Sequence, residues 1–105
     1  MIDSIKQLLG LAPKVEYAAL VKAGAIVLDA RSKGEYASGH IKGSINIAVD
    51  QLTANLSKLN DKEKTIITCC ASGMRSASAK SILKANGYKF VYNGGSWLTL
   101  QNKIN

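Results

Sequence analysis

The stretch that decides the fold runs from Thr65 to Gly87 and reads TIITCCASGMRSASAKSILKANG. Its first six residues are mostly apolar or β-branched, which predicts a buried strand. The sequence RSASAKSILKANG predicts a helix whose apolar side chains face inward and which Gly87 ends. Between the two lie the small residues ASG and one methionine. Residues 65–87 are therefore predicted to form a strand, a short loop and a helix, with Cys70 at the end of the strand.

The same alternation continues on both sides of this stretch. Three further apolar segments predict strands, namely AIVLDA at 25–30, SINIAV at 44–49 and KFVYN at 89–93. Amphipathic or helix-capping patterns predict helices within 1–12, 16–24, 32–39, 50–59 and near the C-terminus. Strands that alternate with helices indicate an α/β fold, with a mainly parallel sheet covered on both faces. Ligand sites of such sheets lie beyond the carboxyl ends of the strands, where both Asp29 and Cys70 are placed.

Local signals refine the ends of these elements. Ser32 and Glu35 have the spacing of a capping box, and Gly39 should end the helix that follows them. Asp50 is predicted to cap a helix that has leucines along one face. The sequence GGSWLTLQNK at 94–103 predicts a glycine turn and then a closing helix.

Length and composition indicate one domain over residues 1–105. The chain has 105 residues, of which 47% are hydrophobic, and its apolar runs are far shorter than a membrane span. It shows no continuous apolar segment of a signal peptide, so we expect a cytoplasmic protein, although a signal removed beforehand would leave no trace. The net charge is +7, spread along the chain without a basic cluster. This pattern argues against nucleic-acid and membrane partners and favours small anions.

The two adjacent cysteines are the only ones in the chain. A disulfide between them is disfavoured, because neighbouring Cα atoms are about 3.8 Å apart, closer than disulfides usually require. A zinc site would require about four ligands, and the chain offers two cysteines and the distant His40. No metal and no cofactor are therefore expected.

Cys69 and Cys70 should have different surroundings, because adjacent side chains of a strand point to opposite faces. Cys69 is interpreted as a small buried hydrophobic residue. Cys70, between a strand and a helix N-terminus, is a candidate nucleophile, since amide groups and the helix dipole lower the pKa of a thiol. Packing in the core remains the alternative for Cys70.

The loop after Cys70 is suited to binding an anion. Its small residues allow the backbone amides to turn inward as an anion-binding nest. Arg75 adds a fixed positive charge with paired donors. Met74 is the one bulky side chain of the loop and could shape access. The candidate loop and substrate-binding residues are Ala71, Ser72, Gly73, Met74 and Ser76. Ser76 could cap the helix or donate to the sulfur, and the preference of serine for helix N-termini favours capping.

Three motifs, in this order, resemble those of rhodaneses, the thiosulfate and persulfide sulfurtransferases. CASGMRS at 70–76 resembles the active-site loop of that family. VLDARSKGEYASGHIKGSINI at 27–47 resembles its aspartate–x–arginine, acidic–tyrosine and glycine–histidine–isoleucine signature. NGGSWLTLQ at 93–101 resembles its glycine–glycine–tryptophan region with a shortened spacing. The resemblance covers most of the chain and implies a single rhodanese domain.

The resemblance also implies a fold and a mechanism. The fold would be a three-layer sandwich with a five-stranded central sheet. The Cys70 thiolate would take the outer sulfur of thiosulfate or a polysulfide as a persulfide and pass it to a thiol, to cyanide or to an acceptor protein. The loop amides would stabilise the persulfide, while Arg75 would hold the loop and attract the donor. Monomeric assembly is the default expectation.

Other residues have less specific signals. Asp29 could orient Arg75, or it could cap a helix or pair with Arg31. Arg31 resembles a position that supports the active-site side of the sheet, with a plain surface charge as the alternative. His40 is expected in a structural turn, Gly94 and Gly95 to serve backbone geometry, and Trp97 to pack beside the site.

Two other classes of function remain open. A persulfide carrier or binding module would act on a partner protein. A cysteine phosphatase or arsenate reductase would need five residues between cysteine and arginine, whereas four separate Cys70 from Arg75. Counting from Cys69 would give five, but the CASGMRS motif begins at Cys70. The sequence identifies neither the physiological donor nor the acceptor.

Overall fold

The computed structural model describes residues 14–105, so the helix predicted within 1–12 lies outside the described residues. The helices are α1 Tyr17–Lys22, α2 Lys33–Ser38, α3 Met74–Ala85 and α4 Trp97–Ile104. The strands are β1 Ile26–Asp29, β2 Ile45–Asn46, β3 Ile66–Cys70 and β4 Val91–Ser96. Two short 3-10 helices, Val49–Gln51 and Thr53–Leu59, connect β2 with β3. The predicted alternation of strands and helices is confirmed.

The four strands form one parallel sheet in the order β2-β1-β3-β4. β1 and β3 are the two inner strands, and the residues of β3 are all buried. The expectation of five strands is wrong for residues 14–105, where the sheet has four. The physical reason is that this part of the sequence contains four β-rich apolar segments, and each of them forms one strand.

Helices cover both faces of the sheet, which gives the expected three layers. One face packs against α3 and the 3-10 helices, with a core of Leu28, Ala30, Ile47, Leu52, Leu59, Ile66, Ala79, Leu83, Tyr88 and Val91. The other face packs against α1 and α4, with a core of Val27, Ile41, Ile67, Cys69 and Leu100. Neighbouring residues of β1 and β3 fall into different cores, because side chains alternate along a strand.

The predicted helix ends are confirmed for α2. The Ser32 hydroxyl accepts from the Glu35 amide at 3.3 Å, and the Glu35 carboxylate accepts from the Ser32 amide at 3.1 Å. Gly39 follows the last residue of the helix. Gly24, the last residue of the range predicted for α1, and Gly87, predicted to end α3, have φ of +105° and +89°, a left-handed conformation that glycine adopts without strain.

Two local predictions are wrong. Residues 49–59 form 3-10 helices with a kink at Asn55, and Asp50 lies inside the first of them rather than capping an α-helix. Two leucines predicted on one face, Leu52 and Leu59, are nevertheless buried, so the tighter helix reaches the same core. The Gly94–Gly95 pair belongs to strand β4 rather than to a turn. β3 and β4 shift register between Thr68 and Cys70, so that β4 runs from Asn93 to Ser96 beside only two steps of β3.

The carboxyl ends of the strands bring Asp29, Asn46, Cys70 and Ser96 to one edge of the sheet. This is the edge where the sequence placed the candidate site. None of the helices within residues 14–105 is long and apolar enough to cross a membrane.

Candidate functional site

Cys70 is the last residue of β3, and its thiol faces the first turn of α3. The Gly73 amide donates to the Cys70 sulfur at 2.9 Å, and the Ser76 hydroxyl lies 3.4 Å from the same atom. Both Cys70 and Ser76 are fully buried. The loop therefore folds back over the sulfur and surrounds it with hydrogen-bond donors.

These contacts favour the thiolate. Burial alone would raise the pKa of Cys70, but hydrogen bonds from the Ser76 hydroxyl and from the amides of Ser76, Gly73 and Ser72 outweigh it, so the pKa of Cys70 lies below its ordinary value. Hydrogen bonds to an ionised group stabilise the charged form. A thiol with a lowered pKa is more fully ionised near neutral pH, and the thiolate is the nucleophilic form.

The loop residues turn sharply to reach this position. Gly73 has φ of +104°, a left-handed conformation that points its amide toward the sulfur and precedes the first residue of α3. Ala71 and Ser72 are exposed, and the Met74 residue is 80% exposed. An exposed methionine beside a buried thiol fits the predicted influence of Met74 on access.

The preference for Ser76 as a helix cap is wrong. α3 begins at Met74 with Gly73 at its N-cap, so Ser76 is the third helical residue and its hydroxyl caps no amide. The hydroxyl instead lies 2.6 Å from Asn93 Oδ1, 3.0 Å from the Gly73 carbonyl and 3.4 Å from the Cys70 sulfur. The alternative placed this hydroxyl at the sulfur, and it lies within reach of the sulfur, although it accepts from the Cys70 thiol and donates to Asn93 here.

Cys69 points to the opposite face, as the strand alternation predicts. It is fully buried in the core beneath α4, and both cysteines are free thiols. Burial, reinforced by the nearby negative charge of Asp29, raises the pKa of Cys69 to about 12. Cys69 is therefore a neutral packing residue, and the loop amides donate to the sulfur of Cys70.

Arg75 binds Glu35, a residue that the sequence analysis did not connect with the site. Its two terminal nitrogens donate to the two carboxylate oxygens of Glu35 at 2.7 and 2.9 Å. This hydrogen bonding raises the pKa of Arg75 and, together with Ser32, holds the pKa of Glu35 well below its usual range. Each side chain remains more than a third exposed. The capping box of α2 thus also anchors the arginine of the loop.

Asp29 and Arg31 form a buried ion pair below the site. The Arg31 Nη2 nitrogen lies 2.8 Å from Asp29 Oδ2, and Asp29 is fully buried. The alternative in which Asp29 pairs with Arg31 therefore describes the structure, and the alternative in which Arg31 is a plain surface charge is wrong, because Arg31 is buried. Arg31 also donates to the Gly39 carbonyl and lies 4.7 Å from the centre of the Trp97 ring. The pair ties β1 to α2 and α4.

His40 and Trp97 lie in structural positions. The His40 ring stacks on Tyr36 with 3.7 Å between ring centres, and its Nδ1 lies 2.7 Å from the Tyr36 carbonyl. Trp97 packs against the core beneath α1 and α4. Both positions agree with the sequence interpretation.

Asn93 is the contact that sequence reasoning missed most completely. Its side-chain amide contacts Gly73, Ser76 and Gly95 at once, at distances between 2.6 and 3.3 Å. Nothing in a local pattern marks it, because its partners lie up to 20 residues away in the chain. Its position directly before the glycine pair is the one signal that the sequence contains.

Fold and site together define an α/β protein with a cysteine in an amide-lined loop at the carboxyl edge of a parallel sheet. The family model described as "Rhodanese-like domain" matches residues 14–97, so the chain belongs to the rhodanese family. It is 36% identical to thiosulfate sulfurtransferase GlpE of Pseudomonas fluorescens (71% of this chain, 68% of the relative). It is 33% identical to thiosulfate sulfurtransferase PspE of Escherichia coli (65% and 66%).

Structural comparison gives the same result. The human single-domain sulfurtransferase TSTD1 matches with a TM-score of 0.72 and 27% identity, over 90% of this chain and 99% of that one. The chain spans 65% and 66% of the length of two curated sulfurtransferase relatives, and between 21% and 28% of the longer tRNA uridine(34) hydroxylases that it also matches. The family and its fold are thereby shown.

Proposed function

We propose that this protein is a sulfurtransferase of the rhodanese type that carries sulfane sulfur on Cys70. The observation that carries the proposal is the Cys70 sulfur, held by the Gly73 amide and beside the Ser76 hydroxyl at the carboxyl edge of the sheet. The two relatives named thiosulfate sulfurtransferase support thiosulfate as the donor. The positive net charge of +7 favours the approach of such an anion.

The reaction has two steps. In the first, the Cys70 thiolate attacks the outer sulfur of thiosulfate, a new sulfur–sulfur bond forms, and the bond within thiosulfate breaks so that sulfite leaves with its electron pair. In the second, an acceptor thiolate or cyanide attacks the outer sulfur of the persulfide, and the Cys70 thiolate is regenerated. Covalent catalysis of this kind predicts ping-pong kinetics. No cofactor is needed for the balance of either step.

The loop and Arg75 have separate tasks in this proposal. The amides of Ser72, Gly73 and Ser76 that stabilise the thiolate would also stabilise the persulfide anion. A cleft of 250 Å³ opens beside Arg75 and is lined by Ala30, Ser32, Ala48, Val49 and Asp50. A donor anion in this cleft would reach Arg75, whose charge is already partly balanced by Glu35.

Two other functions remain as alternatives. A persulfide carrier for an acceptor protein uses the same first step and differs only in its second substrate, and the exposed Met74 gives a partner surface beside the site. A phosphatase or arsenate reductase is disfavoured. The Gly73 amide donates to Cys70, so the loop begins at Cys70, and only four residues separate Cys70 from Arg75.

We further propose a monomer in the cytoplasm, where free thiols persist.

The test is intact-protein mass spectrometry after incubation with thiosulfate. The wild type and Cys69→Ser should gain one sulfur atom that cyanide removes, whereas Cys70→Ser should gain none, because it lacks the nucleophile. Circular dichroism of each variant checks the fold. A sulfur gain in Cys70→Ser would contradict the assignment of Cys70. If no protein gains sulfur from thiosulfate or from polysulfide, the proposed function fails, and hydrolysis of an aryl phosphate becomes the next assay.

A further inference from the structure

A β-bulge places Asn93 against the Cys70 loop. Thr68 of β3 pairs with Asn93, and Cys70 pairs with Ser96, so the two residues Gly94 and Gly95 of β4 lie beside the single residue Cys69. Such an insertion bends a strand and redirects its side chains. Gly95, with φ of +78°, donates its amide to Asn93 Oδ1 at 2.9 Å. The bulge of β4 thus places the Gly95 amide against the Asn93 side chain.

This hydrogen bond determines the orientation of the Asn93 amide group. Because the Gly95 amide is a donor, the atom that faces it must be the oxygen Oδ1. The Asn93 Nδ2 group then points to the Gly73 carbonyl at 3.3 Å, and Oδ1 also accepts from the Ser76 hydroxyl at 2.6 Å. The Asn93 amide group therefore contacts the Ser76 hydroxyl through Oδ1 and the Gly73 carbonyl through Nδ2.

Asn93 contacts both residues that form hydrogen bonds with the Cys70 sulfur. These are Gly73, through its backbone, and Ser76, through its hydroxyl. Gly73 donates its amide to Cys70 while Asn93 binds its carbonyl. The Ser76 hydroxyl, 3.4 Å from the sulfur, is fixed in place by its contact with Asn93. The hydroxyl has one proton, so it can turn to an ionised Cys70 only by giving up its bond to Oδ1, whereas the bond from Asn93 Nδ2 to the Gly73 carbonyl is unaffected.

We propose that Asn93 is a positioning residue for the sulfur transfer, which binds the Gly73 carbonyl and so holds the Gly73 amide where it donates to the ionised Cys70 sulfur. The inference rests on the proposed function for its role in catalysis, but the ionisation of Cys70 can be measured without any sulfur donor. The other ionisable groups around the sulfur are Cys69, Arg75 and, through Arg75, Asp29 and Glu35. Asn93 binds none of them among the side-chain hydrogen bonds of residues 14–105.

The experiment is an ultraviolet titration of the thiolate in the wild type and in Asn93→Ala, with Cys70→Ser as the baseline. Loss of the held Gly73 amide should raise the titration midpoint of Cys70 by about 0.5 to 1 pH unit. In a Ser76→Ala background the same change should still raise the midpoint, because the route through the Gly73 carbonyl does not involve Ser76. Asn93→Thr, which suits a strand, should behave like Asn93→Ala and serves if the alanine protein does not fold.

The rate of sulfur gain gives a second readout. Below the midpoint, Asn93→Ala should gain sulfur about three- to tenfold more slowly than the wild type, and above the midpoint the two rates should converge. Asn86→Ala, which removes a side-chain hydrogen bond at the far end of α3, is the matched control and should leave the midpoint unchanged.

An unchanged midpoint in a folded Asn93 variant would overturn the inference. A midpoint that moves down would also overturn it, because it would mean that Asn93 withholds the Ser76 proton from the sulfur. Should the wild type gain no sulfur from any donor, the proposed function fails, but the titration still decides whether Asn93 controls the thiol.

Discussion

At the scale of single residues, Glu35 connects helix capping with the candidate chemistry. Its carboxylate accepts from the Ser32 amide, the Ser32 hydroxyl and both terminal nitrogens of Arg75. The arginine that the motif assigns to an incoming anion is thus already bound to a resident carboxylate. A donor such as thiosulfate would have to compete with Glu35 or use the remaining N–H groups of Arg75.

Removing this competition should strengthen donor binding. In Glu35→Gln the neutral amide can still complete the capping box, because glutamine is suited to that position. The KM for thiosulfate should fall about two- to fivefold, the range expected for a partly exposed pair. Steady-state kinetics with a fixed acceptor measure it.

The control is Glu63→Gln, which removes the exposed contact of Glu63 with Lys89 and should not alter the KM. A KM that rises in Glu35→Gln would show that Glu35 orients Arg75 for the donor rather than competing with it.

The candidate site was predictable to the extent that its residues are adjacent in the sequence. Cys70, Gly73 and Arg75 lie within one motif, so spacing and strand alternation indicated their surroundings. Glu35 and Asn93 bind this motif from 40 and 17 residues away, measured to Arg75 and Ser76. Such partners depend on how α2 and β4 pack, which no local pattern specifies.

At the scale of elements, the packing of β4 on β3 leaves no space at Gly94. A Cβ atom there would lie 2.8 Å from the Leu100 Cδ2 atom and 3.0 Å from both the Ile67 Cγ2 atom and the Thr68 carbonyl oxygen. Because one of these neighbours is backbone in the central strand, it cannot move aside without disturbing the sheet. The glycine therefore permits the close approach of α4 and β3 at the bulge.

Gly94→Ala should lower the free energy of unfolding by about 1–3 kcal/mol, the usual cost of overpacking. Urea denaturation followed by circular dichroism measures it. The matched control is Gly34→Ala in α2, where a Cβ would have no atom within 4 Å. That variant should be about 0.5–1 kcal/mol more stable than the wild type, as alanine favours a helix. Equal stabilities of the two variants would contradict this account of the packing.

Helices and strands were predicted well where the hydrophobic pattern is compatible with a single type of secondary structure. The strands around 26–29 and 66–70 are buried on both faces, and the capping box marks the start of α2 without ambiguity. The pattern of residues 50–59 does not exclude a 3-10 helix, because residues three apart share a face of both helix types. The bulge at 94–95 depends on pairing with β3, which single-strand patterns do not contain.

At the scale of the whole molecule, acidic groups that the fold keeps neutral make the free energy of unfolding decrease at alkaline pH. Burial raises the pKa of Cys69 to about 12 and also raises the pKa of Tyr88 and Tyr17. Each of these groups stays protonated in the folded chain after it has ionised in the unfolded chain. Its contribution is complete below the unfolded pKa and is lost as pH rises toward the folded pKa.

Stability should therefore fall as pH rises from about 8.5, the ordinary thiol pKa, toward 11, by up to about 1.4 kcal/mol per pH unit for each such group. Urea unfolding at a series of pH values measures the slope. Cys69→Ala should be less stable throughout but should show a shallower slope. Cys70→Ser keeps Cys69 and should retain the wild-type slope above about pH 9.5, where the Cys70 thiol is ionised in both the folded and the unfolded chain. Equal slopes for all three proteins would contradict the prediction.

The opposed directions of Cys69 and Cys70 also determine how the molecule meets oxidative stress. A cysteine sulfenic acid is normally rescued when a neighbouring thiol condenses with it as a disulfide. Here the second of the two thiols in the chain lies on the other side of the sheet, with the backbone of β3 between them. A sulfenic acid formed at Cys70 by peroxide therefore cannot form a disulfide with Cys69. A thiol of another molecule must condense with it to prevent oxidation to the irreversible sulfinic acid.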